Sequence, residues 1–160
     1  MDLEGFGGWA SCLLLTTQRH FQIKDINMSE HAWHSDVKLY RAIDLTPGAG
    51  NAELGRFFMD PFIRDDKGYS GGDKGWYIPM RQASRQRPDQ ALGSLVFSLP
   101  MPNYGKPSLL SLNEVEEVFR NFGNMLFHMV SNQTDWSSLS YKGGLEWDVL
   151  DLPSTFMQHW

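Results

Sequence analysis

An α+β fold, with an antiparallel sheet packed on one long amphipathic helix, is what three features of this 160-residue sequence predict. Short strand-like segments dominate the first hundred residues. A single unbroken helical periodicity then runs from about residue 112 to 131, and a candidate hairpin follows it.

The helix is the clearest element. Leu112, Val115, Val118, Phe119, Phe122, Met125, Leu126, Met129 and Val130 recur at steps of three and four, which places them on one stripe of a 3.6-residue helix. Asn113, Glu114, Glu116, Glu117, Arg120, Asn121 and Asn124 fall on the wet face. Ser111 with Glu114 three residues on matches a capping box, and the three glutamates sit at the positive end of the helix dipole. Gly123 lies inside the helix at a cost of about 1 kcal/mol, which marks a place where a strand or ring packs close.

The other elements follow in chain order. Residues 1–8 read as a loose lead-in, and Trp9 to Thr16 fits a short buried strand. Gln18 to Ile23 alternates as a half-exposed strand does, and Ser29 is placed to cap a helical turn through Trp33. Val37 to Asp44 satisfies either period, but the turn Thr46-Pro47-Gly48-Ala49-Gly50 that follows favours a strand. Asn51 is a candidate cap for a short helix, Ala52 to Met59, halted by Asp60-Pro61. Arg64 to Gly75 is polar and glycine-rich, as a surface loop would be. Trp76 to Met80 reads as an edge strand because of Pro79, and Ser94 to Leu99 is the best-defined strand. Trp136 to Tyr141 and Leu145 to Leu152, either side of Gly143-Gly144, form the candidate hairpin. No repeat or linker divides the chain, so residues 1–160 are expected to form one domain.

Composition excludes several functions. A net charge of −5 argues against a general nucleic-acid binder, which needs a basic stripe to displace counterions. Cys12 is the one cysteine, so there is no internal disulfide and no cysteine zinc site; its apolar neighbours point to a buried, inert thiol. No stretch approaches a membrane span. The apolar run Trp9 to Leu15 follows Asp2 and Glu4 rather than basic residues, making it a poor signal peptide, and the cytoplasm is the expected compartment.

Candidate chemistry is fragmentary. Gly68-Tyr69-Ser70-Gly71-Gly72 has the letters of a nucleophile elbow, but charged residues flank it where an apolar strand and a helix are required. His31 and His34, with Asp36 and His20 nearby, are of metal-ligand type, yet no H-E-x-x-H or other exact spacing is present. His128, on the edge of the helix stripe, reads as a core-edge histidine. Asp60, Asp65 and Asp66 do not follow the calcium-loop pattern, and Gly71 to Gly75 is not a phosphate loop. Arg81, Arg85 and Arg87 form the one basic cluster, suited to an anion or to solvent. No catalytic residue, metal site or cofactor is therefore expected. What remains is an acidic, aromatic surface, and Glu116, Glu117, Glu146, Trp147, Asp148 and Asp151 are the candidate partner-binding residues.

Gly75-Trp76, the strand Val96 to Pro100, the helix Leu112 to Val130 and Trp136 stand in an order that resembles immunity proteins of bacterial type VI and contact-delivered toxin systems, over roughly residues 54–141. That resemblance implies a non-catalytic inhibitor that occludes a toxin's active site, with a protein partner of basic character. The alternative is a small-molecule-binding domain or small enzyme, with His31, His34 and the arginine cluster lining a pocket between sheet and helix.

Overall fold

In the computed structural model, which describes residues 21–26, 32–67, 75–84, 90–102, 107–131, 135–143 and 145–159, five strands form one sheet. They are β1 (Phe21–Ile26), β2 (Lys38–Asp44), β3 (Glu53–Phe62), β4 (Gly75–Arg81) and β5 (Ala91–Leu99), in the order β1-β2-β3-β5-β4. Three ladders are antiparallel, but β3 and β5 run parallel, so the sheet is mixed where an antiparallel one is expected. Parallel neighbours need a crossover, and the chain between Phe62 and Ala91, which includes β4, supplies it. β5 is inside the sheet and mostly buried along its length, which is why Leu95-Val96-Phe97 is a continuous apolar run rather than an alternating one.

The helix expected at Ala52 to Met59 is instead strand β3. Asn51 is in the left-handed region (φ 58°), as are Gly48 and Gly50, so it closes the β2–β3 turn rather than capping a helix. Gly55 and the aromatic pair Phe57-Phe58 then suit a pleated strand with neighbours on both sides, and Pro61 falls where the register against β5 slips. The expected strand at Val37 to Asp44 is β2.

Helix α1 (Leu112–Val130) begins at the expected capping box, with both Ser111 and Glu114 reciprocally bonded. It packs across β3, β5 and β4. Val118, Phe122, Met125 and Met129 are the buried part of its stripe, while Leu112 and Val130 at its ends are exposed. Phe122 meets Phe57 edge-on at 6.4 Å between centroids. At about 1.5–3 kcal/mol for each large apolar side chain removed from water, this contact is the main core of the described residues.

The hairpin expected around Gly143-Gly144 is absent. Ser137–Leu139 and Trp147–Val149 are single 3-10 turns, and Leu152–Gln158 is a second helix, α2, started by Pro153 in its first turn. Imperfect alternation there reflects a helix that packs on α1 through Ser154 and Met157. Gly123 is the crossing point. A Cβ there would lie 2.6 Å from the Pro153 carbonyl oxygen and 2.9 Å from Ser154 Cα, so helix backbone, not a strand or ring, is what approaches. The expected buried strand Trp9 to Thr16 and the turn from Ser29 lie outside the described residues.

Candidate functional site

Among the described residues the sheet has two outer strands, and their side chains treat that position differently. β1 carries charge at its exposed positions, Lys24 and Asp25, a common way to blunt an edge. β4 exposes Ile78 (42%), Pro79 and Met80 (53%), with charge only at its last residue, Arg81. Among the described residues β4 pairs only with β5, so its other side offers main-chain groups flanked by apolar side chains. Pro79 removes one donor from that edge, at the point where the register against β5 shifts.

Beneath β4 lies a buried polar cluster. Tyr77 points from the strand toward α1, where its hydroxyl shares a hydrogen bond with His128 Nδ1. Tyr141 closes the group, with its ring centroid 5.1 Å from that of His128 and 6.0 Å, edge-on, from Tyr77. Gly93 of β5 leaves room for this arrangement, since a Cβ there would lie 2.0 Å from the Tyr77 hydroxyl. Tyr141 takes a left-handed φ of 58°, and its backbone N–H donates to Ser131 Oγ (2.8 Å) just past α1. Burial holds His128 neutral by lowering its pKa to about 4, pushes Tyr141 up to about 12 with help from Asp151, and raises Tyr77 further. His128 Nε2 is buried with no hydrogen-bond partner. The cluster fixes β4 to α1 without placing charge between them.

A second polar group anchors the far end of the strand. Asp60 of β3 is buried and accepts from Trp33 Nε1 (2.9 Å), from Arg64 through two nitrogens (2.6 and 2.8 Å) and from Lys67 Nζ (2.9 Å). Burial by itself would raise the Asp60 pKa; the hydrogen bonds from Arg64, Lys67 and Trp33 outweigh it and bring it to about 2. Lys67 Nζ also donates to the carbonyls of Phe62 and Phe97. Phe97 is paired with Gly75, so this ion cluster ties the chain after β3 to the start of β4.

A helix that carries H-E-x-x-H sets two histidines on one face to hold zinc beside a glutamate base. α1 does not fit that role. Its turn under α2 reads Arg120-Asn121-Phe122-Gly123-Asn124. Arg120 pairs with Glu117 (3.6 Å), Asn121 Nδ2 donates to the Glu117 carbonyl (2.9 Å), and Asn124 Oδ1 is a buried amide oxygen without a partner. The histidine of this helix, His128, is engaged by Tyr77. Among the described residues no group of three His, Cys, Asp or Glu is arranged to hold a metal.

The residues singled out from sequence are dispersed. Glu116 and Glu117 are half-buried on α1, Glu117 being partly engaged by Asn121 and Arg120. Glu146, Trp147, Asp148 and Asp151 are exposed together on the segment entering α2, with Asp151 3.3 Å from Lys142 Nζ. His34 Nδ1 accepts from the Asp36 backbone (3.2 Å), and Arg81 donates to the Gln90 carbonyl (3.0 Å). His31, Arg85, Arg87 and the Gly68-Tyr69-Ser70-Gly71-Gly72 motif lie outside the described residues. The sequence reading does not single out Tyr77 and Tyr141; the clue available was Tyr77 in the otherwise apolar run Trp76 to Met80, a hydroxyl that needs a partner once buried, while Tyr141 sits among serines and carries no such signal.

A family model for peptidase family M3 matches residues 13–160. This chain belongs to peptidase family M3. It is 31% identical to oligopeptidase A of Escherichia coli (strain K12) over 139 residues, covering 86% of this chain and 19% of that protein. It is 30% identical over 131 residues to the organellar oligopeptidase A, chloroplastic/mitochondrial, of Arabidopsis thaliana, covering 80% and 16%. With oligopeptidase A of Haemophilus influenzae the figures are 32% over 132 residues, 80% and 18%. The chain thus spans less than a fifth of the length of these relatives.

Membership of the M3 family overturns the resemblance to toxin immunity proteins. That resemblance rested on the spacing of strand, helix and tryptophan over residues 54–141, which any packing of such elements reproduces, whereas the family match runs through residues 13–160. The expected non-catalytic inhibitor and its basic toxin partner fall with it, and so does the expectation that the chain is not enzymatic: the alternative, an enzyme, fits the peptidase family better. No described helix is long and apolar enough to cross a membrane. The relatives include both a probable cytosolic and an organellar oligopeptidase A.

Proposed function

We propose that this chain is a segment of a peptidase acting on oligopeptides, and that it holds its substrate in extended form along the open edge of β4. The observation that supports this reading most is the edge itself: a strand with apolar outer residues, unpaired on one side among the described residues and pinned from behind by the Tyr77–His128 contact. Main-chain pairing recognises any peptide, while alternate side chains meet Ile78 and Met80, which favours apolar residues at two positions of the substrate. Such a mode suits broad oligopeptide specificity, because the backbone supplies most of the contacts.

The test is the affinity of the intact chain for a fluorescein-labelled, uncharged decapeptide, followed by anisotropy. Ile78→Lys and Met80→Lys together are expected to weaken binding at least tenfold, with the circular-dichroism spectrum unchanged because both side chains already face solvent. Lys24→Ala on β1 is expected to change nothing. Equal affinity for the wild type and the double variant rules the edge out.

A further inference from the structure

Arg81 carries the only charge on β4 and stands at its end, after the exposed Ile78, Pro79 and Met80. The ladder to β5 pairs Pro79 with Gly93 and then Arg81 with Leu92, so Met80 is the extra residue of a bulge. Ile78 opposes Ser94, two residues from Leu92, which puts Ile78 and Arg81 on one face of the sheet. That face is the one away from α1, because the side chain of Tyr77, next to Ile78, goes to His128 on the helix. The guanidinium is held there by one nitrogen. Arg81 Nε donates to the carbonyl of Gln90, the residue before β5, at 3.0 Å, while among the described residues Nη1 and Nη2 have no partner. Parallel N–H bonds from those two nitrogens match the two oxygens of a carboxylate.

The main chain runs short of donors at the same point. Gly75 and Tyr77 offer an N–H on the side away from β5; Pro79, in step with them, has none. A peptide laid along β4 therefore meets its last backbone donor before Pro79, and the bulge at Met80 bends the strand beyond it. The next donors along this edge are those of Arg81. They suit an acceptor that carries negative charge and no hydrogen of its own, which in a peptide is a carboxylate. We infer that Arg81 is a specificity-determining residue that receives a carboxylate of the substrate just past Ile78 and Met80, supplied by an acidic side chain or by the chain end. The inference rests on the proposed binding along β4 and adds to it: apolar residues are read in the middle of the edge, and an acid is read at its end.

Three decapeptides, labelled with fluorescein at the N-terminus and otherwise uncharged, test it by anisotropy with the intact chain at low salt. One is amidated, one has a free C-terminal carboxylate, and one is amidated with glutamate as its last residue. At least one of the two acids is expected to bind about fivefold or more tighter than the plain amide, with the difference fading at high salt. Arg81→Gln is expected to bring that acid down to the affinity of the amide. A gain for the free terminus names the chain end as the source and sets the substrate parallel to β4; a gain for the glutamate peptide alone names a side chain. Equal affinity for all three peptides, or a gain that survives Arg81→Gln, overturns the inference and leaves the edge itself standing. Failure of the edge shows separately, as an amidated peptide that binds wild type and the Ile78→Lys, Met80→Lys double variant alike.

Discussion

Burial by itself would favour a protonated Asp60, yet three donors converge on its carboxylate and hold it ionised to about pH 2. Such a cluster is costly to break on one side, because a charge is left behind without water. Asp60→Ala strands Lys67, itself largely buried, and should lower stability by about 3–5 kcal/mol in urea unfolding; a change under about 0.5 kcal/mol would show that water reaches the site. Depressed carboxylate pKa values stabilise above the unfolded value, so the Asp60 contribution is complete above about pH 4 and is lost as pH falls toward 2. His128 acts in a different window. Its folded pKa is lowered from 6.5 to about 4, so the unfolded chain takes up a proton first, and the fold weakens as pH drops from about 6.5 to 4. The loss should be about 3 kcal/mol at about 1.4 kcal/mol per unit. His128→Gln should flatten that slope while leaving the fall below pH 4; an unaltered slope would assign it to another group.

At the scale of elements, the crossing of α1 and α2 depends on Gly123. Alanine gains about 1 kcal/mol of helix propensity there but collides with the Pro153 carbonyl and Ser154 Cα, which are backbone and cannot swing away. Gly123→Ala is expected to be destabilising overall, by about 1–2 kcal/mol in urea unfolding, and a stabilised variant would show that α2 is not held against α1. The legibility of each element in the sequence follows how local its cause is. α1 was readable to within a residue because its stripe and its capping box both lie inside it, and Gly123 was readable as a close approach. β3 was misread as a helix because its partners, β2 and β5, are distant in sequence, and Asn51 serves turns and caps alike. α2 was misread as a strand, although Pro153 in its first turn is a helix-start signal that outweighs a broken alternation.

For the whole molecule, two buried clusters hold β4, a strand that among the described residues pairs on one side only. The Asp60 group fixes the start of β4 through Phe97 and Gly75, and the Tyr77–His128–Tyr141 group fixes its middle against α1. Little of this was legible beforehand. Tyr77 and His128 are 51 residues apart, and the topology that makes β4 an outer strand is set by the parallel pairing of β3 with β5. A rigid strand whose second side is unpaired among the described residues loses less entropy on pairing with a peptide than a loop would. The acidic, aromatic surface that the sequence brought forward is a different region, at the entry to α2. The central claim is that substrate lies along β4, and residue-resolved amide exchange with and without a saturating uncharged decapeptide tests it most directly. Protection is expected at the amides of Gly75 and Tyr77, which fall in step with Pro79 on the side away from β5, with the amides of β1 unchanged. Protection of β1, or of neither strand while the peptide is bound, would contradict it.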